Sequence, residues 1–474
     1  MTLAIFEARA AYIKKIRGGL ILGVVVFAAS MLGILTRVEG SFAAFWPANP
    51  IVLGIMIRFP QLSSLRTWIA AFAGYMAADL LAGGSYTVAL WLSCANLVGV
   101  LVGFLLFQRL PDTDRSLKRP LSIVWLFTIC LISAAVSALA GAGVGHAMLG
   151  RHFTAGLAFW FTTELVNSII LLPVILTTPT AKRTLLHITE LTKTRWDAKT
   201  FLPVLALLGL MCTSMMVGRP GSFAYPIPAL LWCAMTYGLF ATTILTLCFS
   251  IWAISAISAG ILPFLMGDDP LMSMMSQRLA IALIALGPLT VASINTMKDE
   301  LLRRLEYSVN HDFLTQALSR GALMKSANDL LARNDETNGF FCVLMLDIDN
   351  FKAINDKYGH AAGDCVLVAF SDVVAGELGS DDLFGRLGGE EFKLVFTTHN
   401  PGDAKMAAEN IRSKTETLIL RTGDGTIPNI TVSGGLVIRL PMCREPLDNL
   451  FAIADKCLYQ AKSAGKNRIV TSPS

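Results

Sequence analysis

The sequence predicts an α-helical membrane domain with about eight to ten spans, followed by an α/β domain in which helices flank a central sheet. Three observations predict this architecture. The chain has 474 residues, of which 54% are hydrophobic and only 15% are charged, and this composition is too apolar for an ordinary soluble protein. Long apolar runs fill residues 18–297. After them the chain has the patterns of a soluble domain, with buried strands and amphipathic helices.

Ten apolar runs are candidate spans, because a helix that crosses a bilayer needs about 20 apolar residues. The block from Tyr225 to Phe264 contains no polar loop, and we divide it near Thr236-Tyr237-Gly238. We expect about ten spans, and a count of eight stays open as the alternative. The runs lie near residues 18–36, 43–58, 67–84, 86–107, 122–148, 155–178, 201–218, 225–241, 242–264 and 278–297.

The positions of the basic residues predict the orientation of these spans. Basic residues precede the first run and recur in the segments 58–66, 109–119 and 182–199, whereas the acidic loop 267–269 falls on the other side. Lys and Arg are enriched in cytoplasmic loops. An even number of spans therefore predicts that both termini and the soluble domain are cytoplasmic, in a multi-pass protein of a bacterial inner membrane.

The charge and the cysteines exclude several classes of protein. The formal net charge of +5 is modest, and its basic residues lie in short loops, so we expect no nucleic-acid partner. Nine cysteines are present without a C-x-x-C pair, and several lie inside apolar runs. Neither a zinc site nor a disulfide framework is expected from such a pattern.

Several polar residues lie inside the apolar runs, where ionisable groups are costly and often functional. Hydrogen bonds between helices and interfacial positions are the simpler explanation for most of them. Glu164 lies deep in its run and is the best candidate for sensing a ligand or a proton. The polar residues are Asp79, Asn96, His146, Glu164 and Asn167.

The segment 295–310 connects the two halves. Its apolar residues recur at spacings of three and four and form one stripe, with charges between them. An ordinary linking helix and a short parallel coiled coil between two copies of the chain both fit this pattern. We therefore divide the chain into a membrane domain at residues 1–297, a connecting helix at 298–311 and a soluble domain at 312–474.

The run from Arg386 to Lys393 is the strongest signal in the soluble domain. We predict a β-hairpin in which Gly388-Gly389 is the turn, because apolar strands flank the two glycines. Glu390 and Glu391 follow the turn. Two carboxylates at a glycine tip can hold a divalent cation, although a surface hairpin with solvated acids also fits the run alone.

A second pair of acids follows a buried strand. The apolar run 340–346 predicts that strand, and it ends in Asp347-Ile348-Asp349. A helix, a turn at Gly359-His360 and a new helix after Gly363-Asp364 come next, with Asp364 as a possible helix N-cap. The order α-β-α-α-β-β-α-β-α-β predicts a sheet with flanking helices. Carboxylates from two strands at one sheet edge are how polymerase-like and cyclase-like sites hold two Mg²⁺ ions.

Four ordered motifs resemble those of the GGDEF diguanylate cyclases, a family with a nucleotide-cyclase-like fold that condenses two GTP into cyclic di-GMP. The resemblance covers about residues 310–472. The motifs are Asp312-x-Leu314-Thr315, Asp347-Ile-Asp-x-Phe351-Lys352-x-x-Asn355-Asp-x-x-Gly359-His360-x-x-Gly363-Asp364, Arg386-x-Gly-Gly-Glu-Glu-Phe392, and Asp455-x-x-x-Tyr459-x-Ala461-Lys462-x-x-Gly465-Lys466-Asn467-Arg468.

The resemblance implies roles for the matching residues. It implies two Mg²⁺ ions for each GTP, with Mn²⁺ as a substitute, and Glu390 would also help to deprotonate the 3′-hydroxyl. Lys352 would stabilise charge on the phosphates, and Asn355 and Asp364 would hydrogen-bond the guanine. The metal ligands would be Asp347, the Ile348 carbonyl, Glu390 and Glu391. The substrate-binding residues would be Phe351, Asn355, His360, Asp364, Lys462 and Lys466.

Two positions depart from the family pattern. Lys466 stands where Arg is usual, so the charge is kept but the planar fork of donors is lost. The Arg-x-x-Asp product-inhibition site is Gly379-Ser380-Asp381-Asp382 in this chain. Its Asp382 is kept and Gly379 replaces the Arg. We therefore expect little product inhibition, because a bidentate Arg contact has no substitute here.

The membrane half resembles the first class of membrane-associated sensor (MASE) domains. The resemblance depends on Trp46-Pro47-Ala48-Asn49 before an apolar helix, and on Pro228-Ala-Leu-Leu-Trp232 followed by Tyr237-Gly238. It implies a multi-span input domain. The sequence thus predicts a membrane-bound diguanylate cyclase that acts as a homodimer on GTP. Two alternatives stay open: a silent GGDEF domain that binds GTP or cyclic di-GMP, and a transporter regulated by its cytoplasmic half.

Overall fold

The computed structural model of the chain describes residues 2–35, 45–149, 153–179, 198–219, 221–259, 261–262, 270–337, 339–422, 425–427 and 430–473. The basic segment 182–197 and the acidic loop 267–269, which contribute to the predicted orientation of the spans, lie outside these residues. The chain divides into two compact units, Met1–Glu300 and Leu301–Ser474. Each unit has its own hydrophobic core.

The first unit is helical, and each of the ten predicted apolar runs corresponds to one helix. The predicted break at Thr236-Tyr237-Gly238 is confirmed, because one helix ends at Thr236 and the next begins at Leu239. The helices are α1 (Thr2–Leu35), α2 (Ala48–Arg58), α3 (Leu65–Leu81), α4 (Tyr86–Gln108), α5 (Pro120–Leu149), α6 (Phe153–Thr177), α7 (Leu202–Val217), α8 (Ile227–Thr236), α9 (Leu239–Ser258) and α10 (Pro270–Asn310).

Within the described residues, six of these helices are long and apolar enough to cross a membrane. They are α1 from Gly18, α4, the Pro120–Gly143 part of α5, α6, α9 and α10 from Met275. Helices α2 and α7 are apolar but shorter. The membrane half predicted from the apolar runs is therefore confirmed as a set of membrane-length helices, and a count above six stays a prediction.

Helix α6 is the centre of the first unit. In it, 78% of the apolar stretch is buried inside the protein, against 33–50% for the other five long helices. The outer helices pack closely through small residues, as membrane helices commonly do. For example, a Cβ at Gly74 of α3 would lie 2.5 Å from the backbone oxygen of Gly23 in α1. The polar residues of α6 that are buried inside the protein are Thr162, Thr163, Glu164, Asn167 and Ser168.

The second unit contains a six-stranded mixed sheet with the strand order β1-β3-β4-β2-β7-β8. Its helices are α11 (Arg320–Thr337), α12 (Phe351–Tyr358), α13 (His360–Ala375), α14 (Pro401–Glu416) and α15 (Leu447–Ser463). Its strands are β1 (Leu318–Ser319), β2 (Phe340–Ile348), β3 (Leu383–Gly388), β4 (Glu391–Thr398), β7 (Val432–Arg439) and β8 (Ile469–Pro473), and β5 (Leu420–Thr422) and β6 (Gly425–Ile427) form a separate hairpin. The predicted α/β fold is confirmed, whereas β1 and this hairpin were not predicted.

Strand β2 is central because both of its faces are apolar. It pairs in antiparallel register with β4 and β7, and residues 341–348 are all buried. One face packs in the core with α13, and the other packs against α11 and α15. A strand covered on both faces needs a continuous apolar run, which is what residues 340–346 provide. Its carboxyl end places Asp347 at the edge of the sheet.

Candidate active site

The carboxyl end of β2 brings Asp347 beside two other strands. Asp347 lies directly opposite Glu391 of β4 and Ser433 of β7. Side chains at directly opposite positions share one face of a sheet, so Asp347 and Glu391 face the same side. The side chain of Asp347 is 5% exposed, and the Lys462 ammonium lies 2.7 Å from its Oδ2 atom. A buried carboxyl group and a cation therefore meet at this edge.

Helix α15 can place Lys462 there because β7 has no side chain in its path. A Cβ at Gly435 of β7 would lie 2.1 Å from the backbone oxygen of Ala454 in α15. Glycine in a strand interior commonly marks such a close approach of another backbone. Lys462 lies in the last turn of α15, next to the end of β2. Gly435 thus lets the helix lie close to the acidic edge.

The predicted hairpin is confirmed, but its turn begins one residue later than predicted. Strand β3 continues through Gly388, which pairs with Glu391, and a bulge lies between Arg386 and Gly388. The turn residues are therefore Gly389 and Glu390 rather than Gly388 and Gly389. Gly388 and Gly389 have φ angles of +148° and +57°, which favour glycine. The Ile348 N–H donates to the Glu390 carbonyl oxygen at 3.3 Å, so the tip of the hairpin is fixed against β2.

Burial raises the pKa of Asp347 above its ordinary value, and the nearby charges of Glu390 and Glu391 raise it further. The hydrogen bond and charge of Lys462 act in the opposite direction. A like charge nearby disfavours ionisation, whereas a cation favours it. This edge of the sheet therefore has excess negative charge when its acids are ionised, and a cation stabilises it.

Asp349, two residues further on, fixes the loop that follows β2. Its carboxylate accepts hydrogen bonds from the hydroxyls of Thr431 and Ser433 at 2.8 and 2.7 Å and from the Asn467 N–H at 3.0 Å. The Lys466 ammonium donates to the Asn350 side chain at 2.5 Å. These contacts attach the loop to β7 and to the segment before β8. Asp349 had no role in the sequence-based site, although an acid directly after a buried strand was a signal for it.

A second contact absent from the sequence-based site joins the hairpin to the start of the domain. Arg386 forms an ion pair with Asp312 at 3.0 Å and donates twice to the Gly389 carbonyl oxygen. Asp312 also accepts from the N–H and hydroxyl of Thr315. Although burial acts to raise the pKa of Asp312, these hydrogen bonds lower it below its ordinary value. The first and third sequence motifs therefore meet through this ion pair.

Helices α12 and α13 carry the other predicted substrate residues. Asn355 lies against Gly363, where a Cβ would be only 1.9 Å from its Oδ1 atom. In the described part of the chain, the side chains of Asn355 and Asp364 form no hydrogen bond within the protein. Both are therefore open to a ligand. Lys352 and His360 are exposed, whereas Phe351 is only 8% exposed and packs in the core.

The interpretation of Asp364 as a helix N-cap was wrong. Helix α13 begins at His360, four residues earlier, so Asp364 lies inside its second turn. The physical reason is Gly359, whose φ of +83° lets the chain reverse between α12 and α13 in a single residue. The side chain of Asp364 is thus not needed to cap a helix end.

Comparison with known proteins places this arrangement in a family. The profile described as "Diguanylate cyclase, GGDEF domain" matches residues 309–468. A protein of Escherichia coli O157:H7 described as "Probable diguanylate cyclase DgcF" is 30% identical over 444 residues, which are 93% of this chain and 91% of that protein. The chain belongs to the GGDEF diguanylate cyclase family. The DgcF protein of Escherichia coli strain K12 is 31% identical over 319 residues, which are 66% of this chain and 97% of that protein.

A solved structure is also similar to the GGDEF domain. The coiled coil and GGDEF domain of DgcB from Caulobacter crescentus, in complex with c-di-GMP, is 28% identical. It covers 37% of this chain and 92% of its own, with a TM-score of 0.35.

The acidic edge of this GGDEF domain fits a divalent metal of the kind that diguanylate cyclases generally need. Asp347, Glu390 and Glu391 present carboxylate oxygens and Ile348 presents a carbonyl oxygen, all hard atoms of the type that Mg²⁺ takes. Among the described residues, no three His, Cys, Asp or Glu side chains already form a metal-binding group.

The stretch 379–382, which precedes β3, contains no basic residue. Gly379 stands at the position where the sequence comparison expected Arg, and its backbone N–H donates to Asp382 Oδ2 at 2.7 Å. Burial raises the pKa of Asp382. The carboxylate of Asp382 therefore already accepts a hydrogen bond from within residues 379–382.

Proposed function

We propose that this protein is an active, membrane-bound diguanylate cyclase that condenses two GTP into cyclic di-GMP and two pyrophosphates. The observation that carries the proposal is the buried Asp347 at the end of β2, opposite Glu391 and beside the glycine hairpin with Glu390. Acids from two strands at one edge suit a nucleotidyl-transfer site, whose charges must be neutralised for the reaction.

The residues at this edge have distinct proposed tasks. Asp347, the Ile348 carbonyl, Glu390 and Glu391 hold Mg²⁺, two ions for each GTP, with Mn²⁺ as a substitute. When bound, the metal supplies neutralisation of the triphosphate charge and activation of the attacking hydroxyl. Glu390 accepts the proton of that hydroxyl.

The substrate lies between this edge and the α12–α13 pair in our proposal. Lys462, Lys466 and Lys352 bind or neutralise the phosphates. Asn355 and Asp364 hydrogen-bond the guanine, so that an adenine leaves them unpaired and is rejected. His360 assists binding, and the buried Phe351 acts by supporting α12.

The reaction needs two copies of the domain. The 3′-hydroxyl oxygen of one GTP forms a bond to the α-phosphorus of the other, and the bond from that phosphorus to pyrophosphate breaks. The 3′-hydroxyl oxygen of the second GTP then forms a bond to the α-phosphorus of the first, and the bond from that phosphorus to its pyrophosphate breaks. This second transfer closes the ring. Positioning two substrates in this way accounts for much of the catalysis. A homodimer is supported by the exposed apolar stripe of α10, where Met297, Leu301, Leu302, Leu305 and Val309 are 45–71% exposed.

The membrane half is proposed to be a MASE-type input domain that controls how the two GGDEF domains meet. The proposed boundaries are 1–297 for this domain, 298–311 for the connecting helix and 312–474 for the cyclase. The basic loops 58–66 and 109–119 support cytoplasmic termini in a bacterial inner membrane, where GTP is available.

Synthesis of cyclic di-GMP by the purified full chain tests the proposal. With GTP and Mg²⁺ we expect one cyclic di-GMP and two pyrophosphates for every two GTP consumed, and we expect EDTA to stop the reaction because the acidic edge then lacks its cation. Chromatography of the nucleotides measures both. GTP bound by a dimer without product would contradict an enzyme and favour a silent receptor.

The change at Gly379 gives a separate prediction. We expect the natural protein to keep its rate as cyclic di-GMP accumulates, because Gly379 has no side chain with which to bind it. Gly379→Arg restores the missing donor, and its initial rate is expected to fall about tenfold or more with added product, since charge-assisted hydrogen bonds contribute about 1.5–3 kcal/mol. Gly379→Gln, which is long but uncharged, is the matched control. Tight product inhibition of the natural protein would contradict this prediction.

A further inference from the structure

Five polar side chains, from four helices and the segment just before α2, meet inside the first unit. Asn49 lies on α2, Tyr75 on α3, Asn96 on α4 and Glu164 on α6, and Trp46 precedes α2. All five are buried, with exposures between 1% and 8%. We call them the Asn49 cluster. Such a concentration of polar groups is unusual at membrane depth, where it commonly marks function.

Asn49 is the hydrogen-bonding centre of the cluster. The Trp46 indole N–H and the Tyr75 hydroxyl donate to its Oδ1 atom at 3.2 and 2.6 Å. Its Nδ2 atom donates to Asn96 Oδ1 at 3.0 Å and to Glu164 Oε1 at 2.6 Å. Because an indole N–H can only donate, Trp46 fixes which end of the amide is oxygen. Both lone pairs and both protons of the Asn49 amide are used, and four helices are joined through it.

Glu164 is the one acid in this cluster, and it has no cationic partner there. In the described part of the chain, Asn49 is its hydrogen-bond partner and no ion pair reaches it. Its neighbours on α6 include Leu165 and Ile169, which belong to the apolar core. An isolated buried carboxylate is very unfavourable, whereas a neutral carboxylic acid is tolerated when hydrogen-bonded. The site therefore needs either a proton on Glu164 or another cation beside its carboxylate.

The geometry favours a proton over a metal ion as that cation. A metal ion would need several free oxygen ligands. Asn49 instead turns its N–H toward Glu164, and the Asn96 Oδ1 atom already accepts from Asn49. Among the described residues, no group of His, Cys, Asp or Glu side chains is arranged to hold a metal. A single proton on Glu164 needs no additional ligand.

Other titratable or charged groups lie on the helices around the cluster. None of those described forms a hydrogen bond or ion pair with Glu164. Asp79 lies one turn after Tyr75 on α3, and Cys94 lies two residues before Asn96 on α4. The side chains of His146 and of α1 before Gly18 lie outside the described residues. The groups on α2, α3, α4, α5, α9 and the part of α10 before residue 298 are Arg58, Arg66, Asp79, Tyr86, Cys94, Cys130, His146, Cys248 and Arg278.

We propose that Glu164 is a proton-binding site through which protonation of the membrane half controls the cyclase. With the proton bound, the Asn49 cluster is neutral and holds α2, α3, α4 and α6 together. Without it, the carboxylate must be hydrated or must leave the cluster, so the packing of α6 against α2 changes. A ligand shifts an equilibrium only through such a difference between states. The effect on the cyclase rests on the function proposed above, whereas the proton site does not.

Infrared spectroscopy of the full chain in phosphatidylcholine liposomes tests the site itself. The carbonyl stretch of a protonated carboxylic acid is expected to titrate with pH in the natural protein and to be missing in Glu164→Gln. Glu164→Asp has a shorter side chain but is still an acid, so its carbonyl band is expected to remain at a shifted frequency. This variant replaces Glu164→Gln in the test if Glu164→Gln does not fold. Replacing Na⁺ by choline should leave the titration unchanged. A band identical in all three proteins, or one that depends on Na⁺, would overturn the proposal.

Cyclase activity in the same liposomes tests the control. The ratio of the natural rate to the Glu164→Gln rate removes the pH dependence of the active site, which both proteins share. We expect that ratio to change about 5- to 150-fold across the titration, as is typical of coupled sites. A constant ratio would refute control of the cyclase by Glu164. Absence of cyclic di-GMP from both proteins would refute the proposed enzyme and leave the infrared result standing.

Discussion

Replacing Glu390 by Gln is expected to lower the rate of cyclic di-GMP synthesis about a thousandfold while GTP still binds. The substitution keeps the size of the side chain and removes its charge. It also keeps the backbone carbonyl that holds the Ile348 N–H at 3.3 Å, so the hairpin is expected to stay in place. A metal ion supplies several kcal/mol of transition-state stabilisation, and each 1.36 kcal/mol is a factor of ten in rate. Single-turnover kinetics and GTP titration separate the two effects.

Glu336→Gln is the matched control for this experiment. It makes the same chemical change on α11 at an exposed position, and its rate is expected to equal that of the natural protein. If Glu390→Gln keeps more than a tenth of the natural rate, Glu390 neither binds the metal nor accepts the proton, and the acidic edge needs another assignment.

Replacing Gly363 by Ala is expected to raise the KM for GTP about 10- to 100-fold. The new Cβ would lie 1.9 Å from Asn355 Oδ1, so the Asn355 side chain must turn away from the place where we propose that it meets guanine. An unpaired polar group costs about 1–3 kcal/mol, and 1.4 kcal/mol is a factor of ten. The fold should tolerate the change, because Gly to Ala inside a helix usually stabilises by about 0.5–1 kcal/mol. Steady-state kinetics with GTP and thermal unfolding measure the two effects.

Gly321→Ala separates the steric effect from the general effect of alanine in a helix. Gly321 lies in the first turn of α11, and a Cβ there would meet nothing within 4 Å. This variant is expected to keep the natural KM. An unchanged KM in Gly363→Ala would show that Asn355 does not contribute to guanine binding.

Much of the fold could be predicted from local patterns. Apolar runs predicted ten helices because a helix buried in a membrane satisfies its own backbone hydrogen bonds. The break between α8 and α9 was predicted near Thr236-Tyr237-Gly238 and is observed there. In the soluble half, β2 lies where a continuous apolar run predicted it. These features depend on residues close together in the chain.

The features that were missed depend on distant contacts or on backbone angles. Asp312 and Arg386 are 74 positions apart, and Asn49 and Glu164 are 115 apart, so neither pair has a local signal. The late turn of the hairpin and the early start of α13 follow from positive φ angles at Gly388 and Gly359. Glycine permits such angles but does not require them, so the sequence alone could not place either boundary.

The ion pair between Lys462 and Asp347 has a consequence for how the empty enzyme fills. With no ligand present, Lys462 neutralises only Asp347, and the nearby acids Glu390 and Glu391 keep the edge negative. If Asp347 binds the metal and Lys462 binds the phosphates as we propose, a cation at Asp347 would release the lysine, and bound phosphates would draw the lysine away from the acid. Linkage requires each event to favour the other by the same factor. On that assignment, metal and nucleotide would bind cooperatively.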